Sequence, residues 1–278
     1  HPLFRLEDDV RALLVGRGLY EAQTPAFVPP GEGEVRVLNP VSREEDHLRR
    51  DLLPSLVRSV EYNWSRGVRD VRLFELGTSF RRGPSGDPPG EETRVTAVLT
   101  GRRRPVHWSG EDPVYDVWDL KGLLEALVAR IRPAASIEPG APDGKRLEAG
   151  VSFAVRDGDG DLVGWAGRVA VGGVDAPAWA DPLFGVELSL PSEPEPLPDR
   201  HHRPLPPFPG VDRDLALLVP ESLPAARVRD AILAAGGEHL REVVLFDRYV
   251  GEGVEEGRRS LAWRMRFQSL ERTLTDED

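Results

Sequence analysis

The stretch that decides the fold is VRVLNPVSREEDHLRRDLLPSLVRSVEYNWSRGVRDVRLFELGTSFRR, residues 35–82. A short predicted strand at 35–38 stops at Asn39-Pro40, and a polar loop follows. Apolar residues then recur at i, i+1, i+4, i+5 and i+8, which places them on one face of a helix; they are Leu52, Leu53, Leu56, Val57 and Val60. Gly67 suits the end of that helix, and the β-branched and aromatic residues at 71–80 predict a second strand. The predicted unit is strand, helix, strand.

The segments on either side of this unit extend it into an α+β domain. Residues 3–17 predict an amphipathic helix that leads into an edge strand at 20–28. Further strands are predicted at 96–100 and 184–190, and a hairpin at 151–171. A second amphipathic helix is predicted after a strand at Tyr115, with Asp119 as its N-cap and an apolar face; that face comprises Leu120, Leu123, Leu124, Leu127 and Ile131.

Length and composition describe a two-domain protein without special cysteine or membrane chemistry. The chain has 278 residues, a formal net charge of -11 and no cysteine, so it has neither disulfides nor thiolate metal sites. No apolar run approaches the roughly 20 residues of a membrane span, and the N-terminus has no signal-peptide pattern. We therefore expect a cytoplasmic protein. The negative charge argues against general affinity for nucleic acids but leaves a local site open.

The boundary between the two domains is predicted in a proline-rich segment. Residues 191–207 contain seven prolines in 17 positions, a composition that favours a semi-rigid extended linker. The adjacent His201 and His202 within it have poor geometry for one metal ion, and we interpret them as solvated. The predicted domains are therefore residues 1–190 and 208–278.

The C-terminal domain has the order β-α-β-β, the first two-thirds of a ferredoxin-like fold. Thr275 is a suitable N-cap, and the acidic residues after it favour the start of another helix where the sequence stops. The chain also begins without Met, so we expect a piece of a longer protein whose last helix and strand are missing here. The missing elements would leave an apolar face partly uncovered, formed by Leu215, Leu217, Val244 and Phe267.

Several colinear motifs resemble one family, the β subunits of bacterial phenylalanine–tRNA ligases. The order NPVS, LRRDLLPSLV and LFELG resembles the catalytic-like domain of that family. So does the D-x-K-G stretch from Asp119 to Gly122, although the family's frequent His-Pro-Gly is Glu148-Ala149-Gly150 here. Three C-terminal motifs resemble the family's ferredoxin-fold anticodon-binding domain: F-P-x-x-x-R-D at 208–214, F-D-x-Y at 246–249 and E-R-T-L-T-D at 271–276.

The resemblance implies a specific role for each domain. The larger domain is expected to have a class II synthetase-type antiparallel sheet with flanking helices, to lack the ATP-binding arginines, and to pack against the catalytic α subunit. The complete enzyme would be a heterotetramer of two α and two β subunits that uses ATP and Mg²⁺ to aminoacylate phenylalanine tRNA, with neither cofactor bound by this segment.

The smaller domain is expected to bind the anticodon. The resemblance implies that Tyr249 stacks on an anticodon base and that Asp247 accepts a hydrogen bond. Arginines that cluster on one face with Tyr249 would add positive charge for RNA binding. The candidates are Arg213, Arg248, Arg264 and Arg266. The last 75 residues carry ten Arg and 14 acidic residues, a net charge of -4, so binding would depend on a local patch and on stacking.

Other interpretations remain open at this point. Without the resemblance, the sequence contains no nucleophile or phosphate-binding motif, and we predict no catalytic or metal-binding residue. Phe4-Arg5-Leu6-Glu7 matches the class II F-R-x-E motif but lies in a predicted helix. Asp157, Asp159 and Asp161 lack the Gly and Glu of a calcium loop and predict a turn. Tyr249 can be an ordinary packing residue, and the chain a stand-alone enzyme or a protein-binding scaffold. The basic loop 102–108 can be solvated or contact a phosphate.

Overall fold

The computed structural model describes residues 1–84, 87–111, 113–140, 142, 147–194 and 205–275. It divides into two compact units, His1–Pro198 and Asp199–Asp278. Most of the predicted linker, including His201 and His202, lies outside the described residues. Asp276, the last residue of the E-R-T-L-T-D motif, also lies outside them.

The described residues of the first unit form three α-helices and two sheets. The helices are α1 (Pro2–Gly16), α2 (Leu53–Trp64) and α3 (Val117–Ile131). The strands are β1 (Tyr20–Glu21), β2 (Phe27–Val28), β3 (Gly33–Arg36), β4 (His47–Arg49), β5 (Val71–Arg81), β6 (Gly90–Thr100), β7 (Ser136–Pro139), β8 (Leu147–Arg156), β9 (Leu162–Val169) and β10 (Phe184–Ser189). A 3₁₀ turn spans Val171–Gly173.

The large sheet has the order β1-β5-β6-β10-β9-β8-β7. All neighbouring strands are antiparallel except β1 and β5. The last strand of the unit, β10, lies between β6 and β9, so it joins segments that are far apart along the chain. A small sheet of order β2-β4-β3 completes the unit. The predicted α+β class, with an antiparallel-rich sheet and flanking helices, is confirmed.

Helices cover both faces of the large sheet. On one face, α1 and α3 bury their apolar residues against β5, β6 and β10 in one cluster that includes Leu14, Phe74 and Leu124. On the other face, α2 packs Leu56, Val60 and Trp64 against a second cluster. The helical spacing seen in the sequence therefore marks core-facing stripes. Gly67, just beyond α2, has a φ of 79°, the left-handed conformation that favours glycine.

Some predicted elements of this unit differ in the structure. The first strand of the deciding stretch is Gly33–Arg36 instead of 35–38, and the predicted polar loop contains the additional strand β4. The N-cap of α3 is Asp116, with Asp119 at N3: each carboxylate accepts a hydrogen bond from the other's backbone N–H. Asp119 was predicted as the cap because it directly precedes the apolar run, but the helix already begins at Val117. No strand forms at Tyr115.

Two local interpretations hold. Phe4-Arg5-Leu6-Glu7 lies within α1. In the turn after β8, the Asp157 carboxylate accepts hydrogen bonds from the backbone N–H groups of Asp159 and Asp161, which is an Asx-type turn.

The second unit has the predicted order of elements. These are β11 (Val211–Pro220), α4 (Ala225–Ala235), β12 (Leu240–Tyr249) and β13 (Arg258–Phe267), in an antiparallel sheet of order β11-β13-β12. Helix α4 packs Val228 and Ile232 against Leu261 and Trp263. Leu215 and Leu217 lie opposite Trp263 and Leu261, on this same face.

The expectation of one apolar face for the second unit is wrong for Val244. That residue lies opposite Arg264, which directly follows the buried Trp263 in β13. Directly opposed residues share a face of the sheet and successive residues alternate. Val244 therefore lies on the face away from α4, and 43% of it is exposed.

Candidate nucleic-acid interface and a buried polar network

The face of the second sheet that points away from α4 is called the open face here. It carries Tyr249 opposite Ser260, Asp247 opposite Ala262, and Arg264 opposite Asp214. Arg266 lies on the same face, opposite Asp212 and Glu242. A β-bulge in β12 between Leu245 and Asp247 adds an extra residue, Phe246, beside the Arg264 side chain.

Two of the predicted cations lie on the other face. Arg213 is opposite Met265, and Arg248 is opposite Leu261, both of which belong to the apolar cluster under α4. The expectation that all four arginines share one face with Tyr249 is therefore not met by Arg213 and Arg248. The physical reason is the alternation of side chains along a strand: Arg213 directly precedes Asp214, and Arg248 directly precedes Tyr249.

Arg264 is the most highly organised residue of the open face. Its Nε and Nη2 donate to the two carboxylate oxygens of Asp214 at 2.9 and 2.8 Å, a bidentate pair. Its guanidinium carbon lies 5.0 Å from the centre of the Phe246 ring, within cation–π range. The hydrogen bond from Arg264 holds the pKa of Asp214 below its ordinary value, so the pair stays ionised at neutral pH.

Tyr249 presents its ring at the end of β12. The residue is 47% exposed, and Phe246 is 49% exposed. The Tyr249 hydroxyl donates to the backbone oxygen of Glu252 at 3.2 Å, inside the turn that follows. A side chain at Gly251 would place a Cβ 2.8 Å from that hydroxyl oxygen, so glycine leaves the room for this contact. The hydrogen bond orients the ring while its surface stays accessible.

An exposed sheet surface with aromatic rings and arginine is suited to unpaired bases. Each base has a π-face that stacks on an aromatic ring or a guanidinium plane. Along β13, Ser260 and Arg264 are four residues apart, a distance of about 14 Å in a strand. Tyr249 and the Phe246–Arg264 pair therefore offer two separate stacking positions on one face.

The basic loop of the first unit is partly engaged by the cap of α3. Arg103 forms ion pairs of 2.7 Å with both Asp116 and Asp119. Trp108 nearby is 92% exposed. Among the residues that the structure describes, no group of three or more His, Cys, Asp or Glu side chains could hold a metal ion.

The α2-side face of the large sheet contains a buried polar network in two parts. In the first, Arg49 Nη1 donates to Glu75 Oε1 and Thr24 Oγ1, both at 2.8 Å. Arg49 Nε donates to the Thr78 carbonyl at 3.0 Å, and the Thr24 hydroxyl donates to Glu75 Oε2 at 2.6 Å. A Cβ at Gly77 would lie 2.3 Å from Arg49 Nη2. Gly77 therefore makes the space that the guanidinium occupies.

The second part joins Arg94 to Glu187 and to the start of α2. Arg94 Nη1 lies 3.2 Å from Glu187 Oε1, and its Nε donates to Glu92 at 2.8 Å. Glu187 Oε2 accepts hydrogen bonds from the backbone N–H groups of Leu52 and Leu53 at 3.0 and 2.9 Å. Burial disfavours the charge of Arg94, but the attraction of Glu187 and Glu92 outweighs it, so the pKa of Arg94 is raised.

The buried network limits which ligands this face of the sheet can bind. Both buried arginines are paired with carboxylates of the protein itself, and these carboxylates take the place that a bound phosphate would occupy beside each guanidinium. Glu187 also satisfies N–H groups at a helix N-terminus, the position where an anion would otherwise bind. The arrangement is that of a structural interior.

Sequence reasoning missed the four buried charged residues of this network, Arg49, Glu75, Arg94 and Glu187. A signal was present for Glu75 and Glu187, because they interrupt the strongly apolar strand sequences VRLFELG and FGVELSL. A charge at the centre of a buried strand requires a partner.

No helix within the described ranges is long and apolar enough to cross a membrane.

Two protein families match the chain. The family described as phenylalanyl-tRNA synthetase beta chain CLM domain matches residues 1–190, and the ferredoxin-fold anticodon-binding domain matches residues 206–278. The matched regions correspond to the two regions in which the sequence motifs were found.

Curated relatives cover nearly the whole chain. The β subunit of phenylalanine–tRNA ligase from Bacillus thuringiensis subsp. konkukian is 34% identical over 97% of this chain and 35% of its own length. The same subunit from Salinibacter ruber is 35% identical over 98% of this chain and 36% of its own length. That from Symbiobacterium thermophilum is 36% identical over 96% and 31%. The chain thus spans about a third of the length of the relatives it matches.

Among solved structures, a pyrrolysyl-tRNA synthetase from Desulfitobacterium hafniense matches with a TM-score of 0.46 and 18% identity. The match covers 67% of this chain and 66% of that one.

Proposed function

Because the chain belongs to the phenylalanyl-tRNA synthetase β-chain family, we propose that it is a C-terminal part of a phenylalanine–tRNA ligase β subunit. In the complete enzyme, the first unit supports the catalytic α subunit, and the second unit binds the anticodon region of phenylalanine tRNA. The enzyme is a cytoplasmic heterotetramer of two α and two β subunits. The observation that carries the proposal is the half-exposed Tyr249 ring on the open face of a domain that matches an anticodon-binding family.

The first unit serves the reaction without taking part in its chemistry. The complete enzyme uses ATP and Mg²⁺, but the α2-side face of this unit does not fit a nucleotide, since Arg49 and Arg94 are held by Glu75 and Glu187. Freeing either arginine for a phosphate would leave a buried carboxylate unpaired, which is strongly unfavourable. The cofactors therefore belong to the α subunit in this proposal.

We expect the isolated chain to show no phenylalanine-dependent exchange of pyrophosphate into ATP. The reason is that both buried arginines are already engaged within the sheet. The measurement is exchange by the pure chain against a mock preparation and against the complete ligase as a positive control. Exchange above the mock level would show that this segment has catalytic activity of its own.

Tyr249→Ala in the complete ligase is expected to weaken the binding of phenylalanine tRNA. Loss of a base–aromatic stack costs about 1 to 3 kcal/mol, which corresponds to roughly a 5- to 150-fold increase in Kd. Tyr249→Phe keeps the ring and loses only the hydrogen bond to Glu252, so it should largely retain affinity. The measurement is the Kd for tRNA at fixed salt, together with the thermal stability of each variant.

Tyr62→Ala is the matched control, since Tyr62 is an exposed tyrosine of the first unit. It should leave the affinity for tRNA unchanged. If Tyr249→Ala lowers thermal stability while the folded fraction binds tRNA with normal affinity, Tyr249 is a packing residue and not part of an RNA site.

A second candidate function is a scaffold whose ferredoxin-like unit binds protein. The exposed apolar residues of the open face favour it, namely Leu218, Val244 and Phe246. The two functions predict different results for Tyr249→Ala, because a protein-binding face would leave the affinity for tRNA unaffected.

A further inference from the structure

We propose that Asp214 is a specificity-determining residue of the open face: it holds Arg264 as a stacking surface for a base and keeps its guanidinium away from RNA phosphates. The inference rests on the proposed function, since it concerns how the same face recognises RNA. It concerns neither the stacking role of Tyr249 nor the contacts of Asp247.

The first argument is geometric. Two donors of the guanidinium, Nε and Nη2, are directed at the Asp214 carboxylate at 2.9 and 2.8 Å. A bidentate phosphate contact uses the same kind of paired donors. A phosphate would therefore have to displace Asp214, whose position opposite Arg264 is set by the pairing of the two strands. The pair also holds the guanidinium beside the Phe246 ring.

The second argument is the charge of the whole open face. Arg266, the other cation at its centre, lies 3.9 Å from the Asp212 carboxylate. Arg258, at the end of β13 near Tyr249, lies 3.5 Å from Glu255. Each of these arginines thus has a carboxylate of the same unit beside it. A surface that bound RNA through its phosphates would instead present uncompensated positive charge.

The consequence is a face that reads bases more than backbone. Stacking depends little on salt, whereas each phosphate contact adds counterion release and a steeper salt dependence. A charge-balanced stacking face would bind unpaired anticodon bases of the correct tRNA and hold other RNA weakly. Asp214 suppresses non-specific affinity in this way, which is how a repulsive element adds specificity.

The experiment compares Asp214→Asn with wild type in the complete ligase. Kd values for phenylalanine tRNA and for an unrelated tRNA are measured from 50 to 200 mM salt. Asparagine keeps the size of the side chain but loses the charge, so Arg264 becomes available to a phosphate. One added phosphate contact on a single strand steepens the salt dependence by about 0.7 in the log–log slope. The ratio of Kd between those two salt concentrations should therefore rise by about 2.6-fold.

The unrelated tRNA should gain affinity at 50 mM salt, so discrimination against it falls. Asp230→Asn is the control, because it removes the same charge from an exposed position on α4. A slope change no larger than that of Asp230→Asn would overturn the proposal. So would a loss of affinity for phenylalanine tRNA at every salt concentration by a folded Asp214→Asn enzyme, because Asp214 would then contact the RNA itself.

Arg264→Gln tests the inference independently if Asp214→Asn does not fold. Since Arg264 makes no phosphate contact in the proposal, this variant should keep the wild-type salt slope. A slope flattened by about 0.7 would show a phosphate contact and refute the idea. The proposed function is tested separately: the expected weakening of tRNA binding in Tyr249→Ala together with an unchanged slope in Asp214→Asn would contradict this inference alone.

Discussion

Glu187→Ala is expected to lower the free energy of unfolding of the first unit by about 3 to 5 kcal/mol. Glu187 is fully buried between β6 and β9, and its carboxylate is the partner of the buried Arg94 guanidinium. Its loss removes the buried carboxylate beside Arg94, and Glu92, which remains, is partly exposed. It also leaves the backbone N–H groups of Leu52 and Leu53 without their acceptor at the start of α2.

The measurement is chemical denaturation with hydrogen exchange resolved by unit. Glu91→Ala, an exposed glutamate in β6, is the matched control and should change stability by less than about 0.5 kcal/mol. Glu187→Gln should fall between the two, because its amide oxygen can still accept both helix hydrogen bonds while the charge opposite Arg94 is lost. A folded Glu187→Ala protein with unchanged stability would mean that the network is not structural.

The double variant Arg94→Met with Glu187→Leu sharpens this test. Replacing both members of a buried ion pair by apolar residues is often close to neutral. Removing only one member leaves the other charge buried without its partner. The double variant should therefore be more stable than Glu187→Ala. A double variant as unstable as the sum of both single variants would show that the two residues act independently.

Trp263→Ala is expected to destabilise the second unit by about 3 to 5 kcal/mol. Trp263 is the largest fully buried side chain of that unit and packs under α4 with Leu261 and Val228. This cluster contains six buried residues, so one large cavity removes a substantial part of it. Because small domains have little stability in reserve, the expected result is a second unit that is largely unfolded while the first remains folded.

Hydrogen exchange across residues 205–275 is the readout, with residues 1–84 as the internal reference. Trp263→Phe should cost less, since it leaves a smaller cavity and removes an indole N–H for which the described residues offer no hydrogen-bond acceptor. Trp108→Ala removes an exposed tryptophan and should have little effect. Normal protection of residues 205–275 in the Trp263→Ala protein would show that the cluster under α4 is not what holds this unit together.

Much of the fold could be predicted because local periodicity follows from backbone geometry. The apolar spacing at residues 52–60 and 120–131 matches 3.6 residues per turn, and both helices form. Those apolar residues are buried, except for the half-buried Leu53, and Leu52 is the N-cap of α2. Leu261 and Trp263 likewise alternate along β13, as residues on one face of a strand do, and both are buried. The family could be recognised because its motifs occur in order along the chain. The helix and strand patterns depend only on residues within about a dozen positions of each other.

The short strands could not be predicted in the same way: the single edge strand expected at 20–28 is two separate strands, β1 in the large sheet and β2 in the small one, and β4 was not expected. β1, β2 and β4 contain two or three residues each, which is too short for an alternating pattern to be recognised. They exist because neighbouring strands supply their hydrogen bonds, as β4 does for both β2 and β3. The prediction of the α3 N-cap was wrong for a related reason. Two aspartates three positions apart are equally suitable caps until the path of the chain selects one.

The sequence by itself determined the helices, the long strands, the family and the candidacy of Tyr249. Only the tertiary structure decided which charges meet. Glu187 reaches the N–H groups of Leu52 and Leu53 across more than 130 residues because β10 inserts between β6 and β9. Arg264 and Arg266 lie on the same face as Tyr249, and Arg213 and Arg248 do not, because strand register and the bulge at Phe246 set the faces. Register is a property of paired strands, and a single strand's sequence does not contain it.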